Sequence, residues 1–236
     1  MQRHITKLLT VGRTVFVNDK YSIVMILDPQ KYFTFEGDRD FLQIIQKIAA
    51  EAFGVPTSRK SLKGIYDHVV NVNILLVAFN SDTIMGFSSF KLFPNVKTII
   101  LHGMAIDPTF HGSGLAKQLI APVLSDESFS YIACTTQSPI VYHIMRSIGL
   151  NTFPRIDDTT TPAEISSVEK VLISKKGYQF TPINYETLVL EKYYIRCLYP
   201  QIPESKDQAL NGFFKRSLSI ENGLSLNAFL IITQIR

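Results

Sequence analysis

The segment "KTIILHGMAIDPTFHGSGLAKQLIAPVL", residues 97–124, constrains this chain more than any other. A run of strand-forming residues ends at Asp107-Pro108. A loop then carries Gly112 and Gly114, with no bulky branched side chain before Leu115. Beyond it Ala116, Leu119, Ile120 and Val123 recur at helical spacing, so a helix is expected, kinked or shortened at Pro122. A strand that is apolar on both faces suits the centre of a sheet covered on each side. Strand, glycine loop and helix start together make a place for phosphate, because unpaired amides and the positive end of the helix dipole point the same way.

The rest of the chain supplies a folded body for that segment. Of its 236 residues 46 % are hydrophobic and 19 % charged, a balance that excludes a disordered polar chain. The net charge of +4 is spread along the sequence, and its densest cluster is only "SRKSLK" at 58–63. That dispersion argues against a nucleic-acid partner and suits an enzyme binding an anionic cofactor. Cys134 and Cys197 are too far apart in sequence to resemble a zinc or redox pair, which fits a reducing, cytoplasmic setting. The N-terminus is basic and lacks acids before Asp19, loosely like an organellar transit peptide. It has no apolar signal core, and no run is long enough to span a membrane.

Periodicity orders the remaining elements. Strands are expected over 21–27, 73–79, 84–92, 97–106 and 131–136, the second and third joined by "NSDT" as a hairpin. A helix is expected over 38–54, with Phe41, Ile44, Ile45, Ile48 and Ala52 on one face and Gly54 as its stop, and a shorter one over 58–67. Ser138 caps a helix opening at Pro139 and ending at Gly149. Thr161, Pro162 and Glu164 predict a capped helix over 162–176; "YETLVLEKYYI" and "LNAFLIITQ" read as strands, with a helix near 206–217 between them. With no internal repeat or long linker, a single α/β domain over 1–236 is expected, its core motifs in 21–150 and a decorated portion over 151–236.

Of the phosphate loops with a known pattern, the Walker loop needs Gly-Lys-Ser/Thr and the dinucleotide fingerprint a third glycine in a parallel βαβ unit; both are absent. "LHGMAIDPTFHGSGLAKQLI" instead resembles the coenzyme-A-binding motif of the GCN5-related N-acetyltransferases (GNAT), in which Arg or Gln, two variable residues, Gly, one variable residue and Gly or Ala follow a strand. Gly114 and Ala116 fit, while His111 stands where Arg or Gln is usual. "SPIVYHIMRSIGL" resembles the family's later segment, with Ser138 in the place of its Asn, Met145 in the place of its tyrosine, and Gly149-Leu150 matching its Gly-Phe ending. The strand "LHGMAI" resembles Leu-His-x-Leu-Ala-Val of serotonin N-acetyltransferase-like members, which place the catalytic base at the position of His102.

The resemblance implies a mixed, mostly antiparallel sheet with splayed central strands flanked by helices. It also implies acetyl-CoA as cofactor and transfer of an acetyl group to a primary amine on a small molecule or peptide. The pyrophosphate would meet the loop at His111, Gly112, Ser113, Gly114, Leu115, Ala116 and Lys117, with Ser138 also near the cofactor, and an amide around Met104, Ala105 and Ile106 would polarise the thioester carbonyl. Transfer needs a neutral amine and a protonated leaving thiolate. His102 offers the base, and its competing reading is a satisfied strand histidine; Tyr142, three residues before Met145, offers the acid, and its competing reading is a core tyrosine. The rival from another class is a protein of this fold that binds coenzyme A as an interaction module without chemistry. The long C-terminal portion leaves a homodimer surface open.

Overall fold

Apolar runs become strands and one-sided apolar faces become helices in the computed structural model, which describes residues 2–81, 83–157, 160–175 and 183–236. In chain order these elements are α1 (Gln2–Val11), β1 (Arg13–Val17), β2 (Ser22–Leu27), α2 (Arg39–Ala52), α3 (Leu62–Val69), β3 (Ile74–Phe79), β4 (Ile84–Phe93) and β5 (Thr98–Ile106). They continue with α4 (Leu115–Gln118), α5 (Ala121–Leu124), β6 (Tyr131–Thr136), α6 (Pro139–Ser147), β7 (Asn151–Phe153), α7 (Ala163–Lys175), β8 (Ile183–Asn184), β9 (Val189–Leu190), α8 (Gln208–Ser217) and β10 (Ala228–Gln234). The chain divides into two units, Met1–Leu92 with Ile100–Asp126, and Phe93–Ile99 with Glu127–Arg236.

The first unit is built on strands in the order β1-β2-β3-β4-β5. The pairs β1/β2, β2/β3 and β3/β4 are antiparallel. Every residue of β3 is buried, as its unbroken apolar run requires. The apolar face of α2 supplies Phe41, Leu42, Ile45 and Ile48 to a core shared with Ile65 and Val69 of α3 and Val77 of β3. Gly54, at φ +64°, ends that helix in the left-handed conformation that its sequence position suggested. The expected helix over 58–67 begins later: a 3-10 turn at Thr57–Arg59 precedes α3, whose cap is Ser61, its hydroxyl accepting from the Gly64 amide at 2.9 Å.

Residues 2–17 carried no structural expectation, yet they form α1 and β1 of this unit. Ile5 and Leu8 are buried. The Lys7 ammonium lies 2.5 Å from the buried Asp38 carboxylate, which also accepts from the Thr34 amide at 2.9 Å.

The second unit has the strand order β6-β10-β9-β8, with β7 also pairing with β10. The β10/β6 pair is antiparallel and aligns Ile231 with Cys134. Phe213 and Phe214 of α8 pack on Phe229 of β10 with ring centroids 5.1 and 4.8 Å apart. The expected strand over 185–195 is largely a turn: the Asn184 side-chain oxygen accepts from the amides of Glu186 and Thr187, and Leu188 and Lys192 adopt positive φ. Only Val189–Leu190 pair as a strand. Local side-chain bonds from Asn outcompete the ladder there. The Thr161 hydroxyl, expected at a helix cap, donates to the Glu186 carbonyl at 3.2 Å, and the expected end of that helix at 176 lies outside the described residues. Among the described residues no helix is long and apolar enough to cross a membrane.

Candidate functional site

The first unit brings together the end of β5, the glycine loop and the C-terminal turn of α3. Close backbone contact fixes the end of β5: a Cβ added at Gly86 of β4 would stand 2.8 Å from the Ala105 carbonyl oxygen. The Asp107 amide donates to the Met85 carbonyl at 2.9 Å, holding the exit from the strand against β4. Ala105 faces the core, while Met104 and Ile106 are half-buried on the other side of the pleat.

Asp107 and Pro108 then turn the chain. The Asp107 carboxylate accepts from the Thr109 amide at 2.9 Å and from its hydroxyl at 2.6 Å, capping a 3-10 turn at Pro108–Phe110. His111 is exposed, and its Nε2 lies 3.0 Å from the Ile106 carbonyl oxygen, bracing the loop against the strand it leaves. The Ser113 hydroxyl donates to the Phe110 carbonyl at 2.6 Å. These bonds set the loop without using the amides of Gly112, Gly114, Leu115 or Ala116, which meet no acceptor among the described residues.

Both loop glycines have positive φ, +76° at Gly112 and +81° at Gly114, and a Cβ built on either meets nothing within 4 Å. Gly114 is thus required for its conformation and for the open space above it, not for close packing. Its carbonyl accepts from the amides of Lys117 and Gln118, starting α4. The helix is anchored from below by buried Leu115 and Leu119, and Ser88 of β4 donates its hydroxyl to the Leu119 carbonyl at 2.6 Å. Pro122 divides the helical stretch as expected, falling in the first turn of α5. Lys117 is exposed on the outer side of α4.

His102, half-buried on β5, meets a residue that the sequence did not single out. The ring of His68, in the last turn of α3, lies 4.6 Å from that of His102 between centroids, tilted by 34°. A Cβ at Gly103 would come 3.1 Å from the Ser89 hydroxyl and 3.6 Å from Nδ1 of His68, so the His68 ring lies within van der Waals reach of the β5 backbone. Nothing local in "YDHVV" signals this neighbour, since 34 positions separate the two histidines and only the packing of α3 joins them.

The second unit holds the other two candidates. Ser138 caps α6, its buried hydroxyl accepting from the Val141 amide at 3.5 Å. Tyr142 is buried with its hydroxyl donating to the Pro154 carbonyl at 2.8 Å, and burial raises its pKa above the usual phenol value. Its ring packs edge-on against Phe214 at 5.8 Å, the surroundings of a core tyrosine. Met145 is fully buried in the same helix.

Residues 42–138 match the family model described as acetyltransferase (GNAT) family. The span runs from α2 through the glycine loop to the cap of α6. Solved structures similar to this one include a GNAT-family acetyltransferase from Desulfovibrio desulfuricans, 14 % identical, covering 56 % of this chain and 87 % of that one at a TM-score of 0.41. Another is the catalytic domain of the Tetrahymena GCN5 histone acetyltransferase in complex with coenzyme A, 9 % identical, covering 56 % and 76 % at 0.41. A third is an IAA acetyltransferase from Bacillus cereus, 14 % identical, covering 91 % and 100 % at 0.40. No curated protein matches the chain.

Proposed function

We propose that this protein is an acetyl-CoA-dependent N-acetyltransferase that moves an acetyl group to a primary amine by direct attack on the thioester. The observation that carries this reading is the glycine loop inside the GNAT-matched span: its free amides and the empty space at the Cβ positions of Gly112 and Gly114 fit a pyrophosphate. When bound, acetyl-CoA supplies the acetyl group as an activated thioester. The chain's own residues do the rest. The amides of Gly112, Gly114, Leu115 and Ala116 hold the phosphates, and the main chain at Met104 to Ile106 lies at the strand end where a carbonyl would be polarised. His102 takes the proton that the amine nitrogen must lose as its bond to the acetyl carbon forms and the carbon–sulfur bond breaks, and coenzyme A leaves as the thiolate, which takes its proton from water. Tyr142 is not used, because its proton is committed to Pro154.

The half-buried setting of His102 beside the exposed His68 supports an acceptor amine carried on a small molecule or at a peptide terminus. The test is calorimetric titration with acetyl-CoA of the wild type and of Gly114→Val. It is followed by release of coenzyme A thiol with phenethylamine, an aminoglycoside or a short peptide with a free N-terminus as acceptor. Binding in the wild type, its loss in a folded Gly114→Val, and turnover with one of the amines support the reading. Equal binding by both proteins would remove the loop from the cofactor site.

A further inference from the structure

We propose that His68 and His102 form a pair that holds one proton at neutral pH, the exposed His68 carrying the charge so that His102 stays neutral and able to accept a proton. This rests on the reading of His102 as the proton acceptor in acetyl transfer. The geometry is the argument. Two imidazoles with ring centroids 4.6 Å apart cannot both be charged without strong repulsion, so the second proton binds far more weakly than the first. Which ring takes the first is decided by solvent. His68 is exposed in the last turn of α3, where the negative end of the helix dipole favours a cation, whereas His102 is half-buried on β5.

On α3 the other ionisable groups are Lys63, Tyr66 and Asp67. The Tyr66 ring packs edge-on against Phe35 at 5.7 Å, and the Asp67 carboxylate accepts from the Asn71 amide at 2.7 Å. His102 is the sole ionisable residue of β5, and Lys91 that of β4. On α2, packed against α3, Lys47 and Glu51 pair with each other at 3.8 Å; the remaining charges there are Arg39 and Asp40. His68 is a positioning residue: it acts through His102, and as His102 takes the amine's proton His68 releases its own to water, so that the pair does not hold two.

The test is a titration of both imidazoles by NMR in the wild type, His68→Gln and His102→Gln, with no ligand present, followed by the pH dependence of kcat/KM with the fastest of the three probe amines. In the wild type the rings are expected to titrate in two coupled steps. His68→Gln should raise the midpoint of His102 by about half a unit or more, and His102→Gln should raise that of His68 in the same way. The acidic limb of kcat/KM should move up by the same amount, while KM for acetyl-CoA is unchanged. Independent single-site curves, identical in wild type and variants, overturn the proposal, as does an unmoved acidic limb. Coupled titration in a protein that acetylates none of the amines overturns the acetyl-transfer reading, and the part of the pair in it, while the coupling stands as measured.

Discussion

The backbone of Gly149 lies against Thr233 of β10 so closely that a Cβ at this position would overlap the Thr233 methyl group and fall within 2.5 Å of the Gln234 carbonyl oxygen. The glycine follows α6, where a helix stop was expected, but it does not take the left-handed conformation of such a stop; Gly54 does. Its purpose is the approach of one backbone to another. Gly149→Ala should therefore destabilise the protein by about 2 kcal/mol through overpacking, a fall in melting temperature of roughly 4–8 °C. A melting temperature within a degree of wild type would show that β10 gives way freely.

Glu169 on α7 is fully buried, and neither of its carboxylate oxygens has a hydrogen-bond partner among the described residues. Burial pushes its pKa from 4.5 up to about 7, against the weaker opposite effect of Lys170. Because the folded value is raised, the folded state holds the proton more tightly than the unfolded chain. Stability is then greatest below pH 4.5 for this group and is lost as pH rises through about 7. Glu169→Gln should remove this dependence and stabilise the protein at pH 8 by about 2 kcal/mol, since it deletes an uncompensated buried charge. Denaturant midpoints at pH 5 and pH 8 check it; an unchanged pH dependence in the variant would mean that the carboxyl stays neutral or finds a partner.

Tyr142→Phe removes the bond to the Pro154 carbonyl and should cost about 1 kcal/mol of stability. Turnover should stay within about twofold of wild type, as expected of a core tyrosine. A tenfold loss of kcat with KM unchanged would return Tyr142 to the chemistry as the acid.

The contact of His111 Nε2 with the Ile106 carbonyl oxygen braces the glycine loop on the strand that precedes it. Its loss in His111→Ala should loosen the amides proposed to hold the phosphates and weaken acetyl-CoA binding by up to about tenfold, the worth of one such bond. Calorimetry of the variant decides the matter. Unchanged affinity would leave His111 as an exposed side chain with no part in shaping the loop.

What the sequence determined by itself is local. The strand at 97–106, the glycine loop and the split helix beyond it followed from apolar periodicity, from two glycines in a short loop and from Pro122, each of which acts within a few residues. The Ser138 cap was legible for the same reason, as were the α2 face and its stop at Gly54. The tertiary structure decided what distant residues do to each other. The run at 185–195 had the composition of a strand, but Asn184 and the neighbouring positive-φ residues turned most of it. The basic N-terminal stretch became α1 and β1 because Ile5, Leu8 and Lys7 found partners elsewhere in its unit, Lys7 across 31 positions. His68 came to His102, and Tyr142 gave its proton to Pro154, through packing that no local pattern encodes. Side-chain periodicity states which face is buried; only the folded chain states what is buried against it.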